Sequence, residues 1–386
     1  MKSESAPAVY RRARRWVSAV LLLVVSSLAA VGGFNWHVDP FQQYRLASKY
    51  PPRFYSLHHR YVGPGLAKNA VYDTVLSGSS IMENTRNGFI GRACGGTAIN
   101  LSMPAMSAFE QRVMLETALR ERPLRRVLMV LDFNQFAGGA EERQEIAGPF
   151  PTHLYDRNPF NDVAYLLSGD VLEKSLAIVA GDLSDSSTAL RIVRADAKDS
   201  FTADPDAPWF WGERKRFARD EVLRDLDLTR LNQRFAQPAR ALAAMQRSFT
   251  HNLAPLFAAH PTVTFDILWP PYSILVWLDF ARRDQLDLTL AFKRFVLDAT
   301  REIPHVRIFD FQAEERITHD LDRYTDIYHF DPAVNEWMIA AACSGTHRVS
   351  DEREALAAER QLRSQVDAIR APEGLAAFIS GAARSR

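Results

Sequence analysis

Residues 16–34, WVSAVLLLVVSSLAAVGGF, carry no charge, and five basic residues (Lys2, Arg11, Arg12, Arg14 and Arg15) stand before them. As a helix rising ~1.5 Å per residue, this run spans roughly 28 Å, close to the hydrocarbon thickness of a bilayer. The sequence therefore predicts one membrane helix over 16–34. Under the positive-inside rule, the basic tail 1–15 stays in the cytoplasm and the rest of the chain goes outward. A cleavable signal peptide is the competing reading, with Ser27, Leu28 and Ala29 as its small-residue cleavage pattern. The length of the run and the tryptophans at its two ends, Trp16 and Trp36, favour an uncleaved anchor. No other stretch approaches this length.

The chain beyond residue 34 is long enough to bury a sizeable core, either as two domains or as one large α/β domain with an insertion. With 47 Lys+Arg against 46 Asp+Glu, the formal net charge is +1, so no global field draws in nucleic acid. The two cysteines, Cys94 and Cys343, lie far apart with no Cys/His ligand spacing, which argues against structural zinc or an iron–sulfur cluster. They either pair as one disulfide in an exported chain or stay buried and separate.

Residues 35–70 are rich in aromatic, proline and basic residues without periodicity and read as a connector. His58 and His59 within it should point to opposite faces and are expected as exposed loop residues that share no metal. From residue 71 the pattern alternates. Strands are expected at 74–76, 98–101, 127–133, 263–268 and 306–311, with helices at 81–89, 105–120, 237–259, 286–302 and 332–342. Near-continuous apolar strands separated by amphipathic helices predict a three-layer α/β/α domain on a parallel sheet, over 71–345, with ligands at the carboxyl ends of the strands. Residues 137–236 are too long for a loop and read as a mainly helical insertion. Its aromatic cluster, Trp209, Phe210 and Trp211, either packs the insertion down or lines a sugar groove, packing being the default. A charged helix over 351–370 within the tail 346–386 completes the chain.

Two motifs carry chemistry. At 72–89, YDTVLSGSSIMENTRNGF, a strand breaks at Gly78 and is followed by Ser79, Ser80 and a helix start. Such a turn can expose a hydroxyl beside helix-start N–H groups, although a capping serine gives the same pattern. Near the end, YTDIYHFDPAVNEWM places Asp326 three residues before His329, after the last strand and before the last domain helix. A serine hydroxyl needs a neighbouring base to take its proton, and a carboxylate can orient that base. Serine after the first strand and histidine after the last would meet on the ligand-binding edge of one sheet.

With these motifs the chain resembles the SGNH (GDSL-like) hydrolase superfamily over about residues 70–345. It is most similar to the membrane-anchored envelope branch that includes alginate O-acetyltransferase-like and D-alanyl-lipoteichoic-acid-associated proteins. Gly78-Ser79-Ser80 stands where that superfamily has Gly-Asp-Ser, and Asp326-Ile327-Tyr328-His329 matches its Asp-x-x-His. Residues 100–105, NLSMPA, resemble its second block with Ala105 in place of a glycine, and Leu131-Asp132-Phe133-Asn134 stands for its third, without the glycine. The resemblance implies a flavodoxin-like SGNH fold with Ser80 as nucleophile, His329 as base, Asp326 as its partner, and Ala105 and Asn134 as oxyanion donors. It requires no cofactor and no metal. Asp132 is a rival polar group at the same strand end, Asn84 is either a substrate contact or a surface residue, and Lys68, Arg86, Arg92 and Arg323 either line a basic pocket or are solvated.

The expected function is a periplasmic or extracellular esterase or O-acyltransferase on acyl esters, acetyl foremost, of an envelope or exported polysaccharide. A membrane-bound acyl-transfer partner is compatible with it, and the bilayer is met through 16–34. A catalytically silent glycan-binding assembly factor, a phosphoesterase with metal on Asp132, Asp310 and His329, and a flavodoxin-like nucleotide binder are the alternatives. The last lacks a glycine-rich phosphate loop.

Overall fold

The computed structural model describes residues 6–55, 57–146, 148–183, 201–224, 226 and 242–381. Its strands are β1 (Phe54–Tyr55), β2 (Thr74–Ser77), β3 (Ala98–Asn100), β4 (Arg126–Val130), β5 (Phe201–Thr202), β6 (Thr264–Trp269), β7 (Val306–Asp310) and β8 (Arg348–Val349). Six form one sheet in the order β3-β2-β4-β6-β7-β8, parallel except for β8 at the edge. All four residues of β2 and most of β4 and β6 are buried, so apolar side chains leave the sheet on both faces and helices must cover both. Asp266 interrupts the apolar run of β6. It is fully buried and held by a two-pronged ion pair with Arg307 of β7 at 2.6 and 2.8 Å.

The helices gather in two groups. Ala108–Glu121 packs on Leu242–Asn252, which packs on Leu286–Thr300, while Asn87–Cys94 packs on Pro332–Ser344. The chain leaves β2 for β3 on one side, then crosses back to β4 and continues to β6 and β7. Between β2 and β4 the direction reverses, and a ligand crevice opens at the carboxyl ends of the strands at such a switch point. The structure is thus α/β with a mostly parallel sheet, preceded by one apolar helix, Ala6–Val38. Within it, 10–38 are long and apolar enough to cross a membrane.

Several elements differ from the sequence expectation. No helix spans 81–89: the chain makes a single 3₁₀ turn, Ser80–Met82, and turns helical only at Asn87–Cys94. The side-chain amide of Asn100 donates to the carbonyls of Met82 and Thr85, at 2.7 and 3.2 Å, and so takes acceptors that a continuing helix would use. The expected helix 237–259 appears as Leu242–Asn252 and Ala254–Ala259. Pro255 lacks the N–H needed to join the two, and 237–241 lie outside the described residues. Ile274–Arg282 is a helix absent from the sequence expectation: Ile274 to Ala281 are all buried, Asp279 among them, so the run lacks the broad polar face that marks a surface helix.

The connector 35–70 is also more than a linker. It contains the helix His59–Asn69, which packs on Ala108–Glu121. His58 and His59 are buried rather than exposed, because each has an acid waiting. His58 Nε2 lies 3.3 Å from Asp170, and His59 Nε2 lies 3.2 Å from Glu83. The two rings do point to different partners. In the insertion, the described residues form the helix Gly169–Leu183 and shorter turns, and β5 pairs with β1. The charged tail helix, Glu352–Arg370, is not solvated all round: Leu362, Val366 and Ile369 are buried.

Cys94 and Cys343 form a disulfide that joins Asn87–Cys94 to Pro332–Ser344. It closes a loop with a sequence separation of 249 and ties the segment after Ser80 to the helix after His329. A bridge over so long a loop constrains the unfolded chain strongly, and Cys94→Ser is expected to cost about 2–5 kcal/mol. Urea unfolding of the oxidised protein and of the variant measures this. Identical midpoints would show that the bridge contributes nothing.

Candidate active site

The site begins where β2 ends. Gly78 follows the strand and is buried, and a Cβ there would sit 3.0 Å from both Met82 Cγ and Val130 Cβ. Its φ is not positive, so glycine is required by close packing of the turn against β4 rather than by an unusual backbone. Ser79 occupies the cap position of the 3₁₀ turn, but its side chain caps nothing. Its hydroxyl instead donates to Asp132 Oδ2 at 3.3 Å. Ser80 opens the turn, half-buried, with its Oγ 2.8 Å from His329 Nε2.

His329 is held from the opposite side. Thr325 N–H donates to the His329 carbonyl at 3.0 Å, and Tyr324 bridges Phe330, which closes residues 324–330 into a tight loop. The Asp326 carboxylate fills that loop. Its Oδ1 accepts the N–H groups of Tyr328 and His329 at 2.7 and 2.9 Å, and its Oδ2 lies 2.7 Å from His329 Nδ1. The Ser273 hydroxyl donates to the Ile327 carbonyl at 2.7 Å and fastens the loop to the segment after β6. Serine, histidine and aspartate therefore form one hydrogen-bonded line across 249 residues of sequence.

This arrangement sets the protonation of the base. Burial pulls the His329 imidazole down, but the hydrogen bond and charge of Asp326, with the charges of Glu83 and Asp132, hold it above the usual histidine value. Burial likewise pushes the Asp326 carboxyl up, and its bonds to His329 and to the two backbone N–H groups outweigh that and hold it low. A carboxylate that accepts Nδ1–H leaves Nε2 free to accept the serine proton. A histidine that serves as general base works only when neutral, so an activity that depends on His329 would be lost as pH falls through its raised value. The acid limb of kcat/KM is expected to have its midpoint above the ordinary 6.5. A pH–rate profile that is flat down to that value would contradict the assigned base.

The proposed oxyanion donors stand on the same edge. Ala105 lies at the exposed tip of the turn after β3 with φ 49°, a left-handed backbone that glycine adopts most easily. The turn tolerates alanine there because it is braced from beneath. Arg60, fully buried, donates to the Pro104 carbonyl at 2.9 Å and pairs with Glu110, whose carboxylate also accepts the N–H of Ser107. Asn134 is exposed in the 3₁₀ turn after β4, and its backbone N–H donates to Asp132 Oδ1 at 2.9 Å. Asp132 caps this turn while accepting from Ser79, so it joins the Ser79–Ser80 turn to the end of β4.

Other sequence candidates are placed elsewhere. Asn84 is buried, and its Oδ1 accepts the Trp211 N–H at 3.0 Å, so it is not a surface residue. Arg86 lies over Phe210 and 3.3 Å from Asp204, and Arg323 pairs with Asp320 at 3.3 Å. The charges that act on Lys68 are Asp162, Glu121, Arg120 and Asp156, none of them at the site. Arg92 is exposed on the helix Asn87–Cys94. Asp310, an alternative metal ligand, is taken by Lys293 at 2.6 Å, and among the described residues no three His, Cys, Asp or Glu side chains gather to hold an ion.

Two further residues stand near His329. The indole of Trp211 meets the His329 ring edge-on at 5.6 Å, while Trp209 stacks on His59 at 4.3 Å. The cluster thus divides, one tryptophan packing the insertion down and the other walling the histidine. Glu83, buried one turn beyond Ser80, adds a negative charge near His329 while facing His59. Nothing in the sequence marks it, because its partner is supplied by the connector. Comparison with protein-family models, with curated proteins and with solved structures finds no match for this chain.

Proposed function

We propose that this chain is an extracytoplasmic serine esterase or O-acyltransferase of the SGNH type, held at the membrane by its first helix. One observation carries the reading: Ser80 Oγ, His329 and Asp326 stand in line at 2.8 and 2.7 Å at the carboxyl edge of a mostly parallel sheet. In the proposed mechanism Ser80 Oγ attacks the carbonyl carbon of an ester as His329 Nε2 takes its proton. The oxyanion that forms is met by the backbone N–H groups of Ser80 and Ala105, with the Asn134 side chain beside them. Collapse breaks the bond to the alkoxy oxygen, which leaves as an alcohol with the proton from His329. Water or a sugar hydroxyl then attacks the acyl-serine by the same steps in reverse order.

The switch-point topology supports a three-layer α/β/α SGNH fold with residues 137–236 as its insertion. The arginine cluster before 16–34 favours a cytoplasmic amino terminus and an outward domain, and a disulfide suits an oxidising compartment. An acylated polysaccharide of the envelope, reached from the membrane surface, is then the natural substrate, and a membrane-bound acyl donor a compatible partner. The test is covalent labelling of the full chain in detergent by a fluorophosphonate. The expected adduct lies on the peptide that contains Ser80. No adduct, with the fold intact, would favour a silent glycan-binding relative.

A further inference from the structure

The insertion meets the first helix in an elbow, Val163–Leu166 with its flanking residues, which is clamped by three polar bonds. Asn35 Nδ2 donates to the Leu166 carbonyl at 2.8 Å, Tyr165 OH to buried Asp39 Oδ1 at 2.9 Å, and Tyr44 OH to Asp162 Oδ2 at 3.2 Å. The clamp fixes the height of the elbow along the helix. A Cβ at Gly32, inside the uncharged run, would meet Leu167 Cδ2 at 3.6 Å, so Leu167 lies beside the last turns of the apolar segment. Yet the elbow turns three apolar side chains to solvent: Phe160 is 88% exposed, Val163 53% and Leu167 38%. Val163 and Leu167 stand four residues apart at the two ends of this single helical turn, and Phe160 lies in the turn that leads into it.

Beside the elbow, a cavity of about 180 Å³ opens where the helix Gly169–Leu183 crosses the end of the first helix. Val38, Ile178 and Val179 line its apolar side, and His37, Arg45 and Lys49 line the other. Lys49 Nζ stands 3.5 Å from His37 Nε2, and no carboxylate pairs with it among the described residues. Arg45 lies over the exposed ring of Trp36 at 4.5 Å. Asp39 also borders the cavity, but its carboxylate is turned to the N–H groups of Gln43 and Tyr44 and to Tyr165. Cationic groups above an apolar wall, at the level where a membrane helix ends, match a lipid headgroup over its chains.

We propose that this junction is a lipid site: Phe160, Val163 and Leu167 sit in the outer leaflet, and the adjoining cavity takes the phosphate of an anionic lipid against His37, Arg45 and Lys49. The proposal rests on the membrane-crossing reading of the first helix and is independent of the catalytic one. It would fix the height of the domain above the bilayer and so the distance at which substrate is met.

The full chain, reconstituted into phosphatidylcholine vesicles with and without phosphatidylglycerol, tests this. The photoreactive p-benzoylphenylalanine replaces Leu22, Phe160 or, as a solvent control after β7, Arg316, whose side chain is 82% exposed. Lipid adducts are expected at Leu22 and Phe160 and not at Arg316. A Phe160 probe that stays silent or captures protein, while Leu22 reaches lipid, overturns the site and leaves the anchor standing. A silent Leu22 overturns both. For the headgroup, Lys49→Gln is expected to weaken phosphatidylglycerol retention about fivefold, the share of one basic side chain at a membrane surface. Equal retention by both proteins overturns the phosphate part.

Discussion

Ser80→Ala is expected to lower kcat for release of acetate from p-nitrophenyl acetate by roughly 10⁴-fold or more, with little change in thermal stability. The size reflects the lack of a substitute. Ser79 is the adjacent hydroxyl, but it is buried and directed to Asp132, whereas Ser80 Oγ is the group at His329 Nε2. With no nucleophile on the enzyme, water would have to attack from bulk, and only binding and the oxyanion donors would remain to help it. The fold should hold, because Ser80 is half-buried at the start of a one-turn element and its hydroxyl bonds to the His329 ring rather than to the scaffold. Ser79→Ala is the matching control. It removes only the 3.3 Å bond to Asp132 and should cost far less. Equal acetate release by the wild type and Ser80→Ala would sink the serine mechanism.

How much of this site the sequence reveals depends on how local each signal is. The strands are legible because β2, β4, β6 and β7 are short apolar runs buried on both faces, and burial on both sides erases the need for any longer-range pattern. Asp326 and His329 are legible because three residues of loop are enough to bring a carboxylate to an imidazole. The antiparallel edge strand β8 is not, since two residues carry no periodicity. Ile274–Arg282 is hidden for the opposite reason, its burial on all sides. Around Ser80, sequence leads to a helix where the structure has one 3₁₀ turn, because the decisive bonds come from Asn100, a full strand away. The pairing of His59 with Glu83, and which tryptophan of the aromatic cluster walls His329, are not legible in the same way: connector and insertion supply these partners from far along the chain, and only the folded chain places them together.

Asp326→Asn should lower kcat by about 10²- to 10⁴-fold and also move the pH profile, and the second effect separates orientation from simple misfolding. Asparagine can keep the loop closed, since its Oδ1 can still accept the N–H groups of Tyr328 and His329 as the carboxylate does at 2.7 and 2.9 Å. Its amide would then face His329 Nδ1 as a donor. The imidazole would have to answer by placing its proton on Nε2, where it blocks rather than accepts the Ser80 proton. The lower end of the range allows for the partial exposure of the Asp326 side chain, since water can replace some of what the carboxylate supplies. The pH shift has a fixed sign. In the wild type, Asp326 outweighs burial and raises the His329 value. Without that charge and hydrogen bond, burial acts against only the remaining charges of Glu83 and Asp132, so the acid limb of the residual activity should move to lower pH. A variant that loses activity with an unmoved limb would mean that Asp326 shapes the loop without governing the base. A variant with full activity would remove it from the mechanism and leave Ser80 and His329 as a dyad.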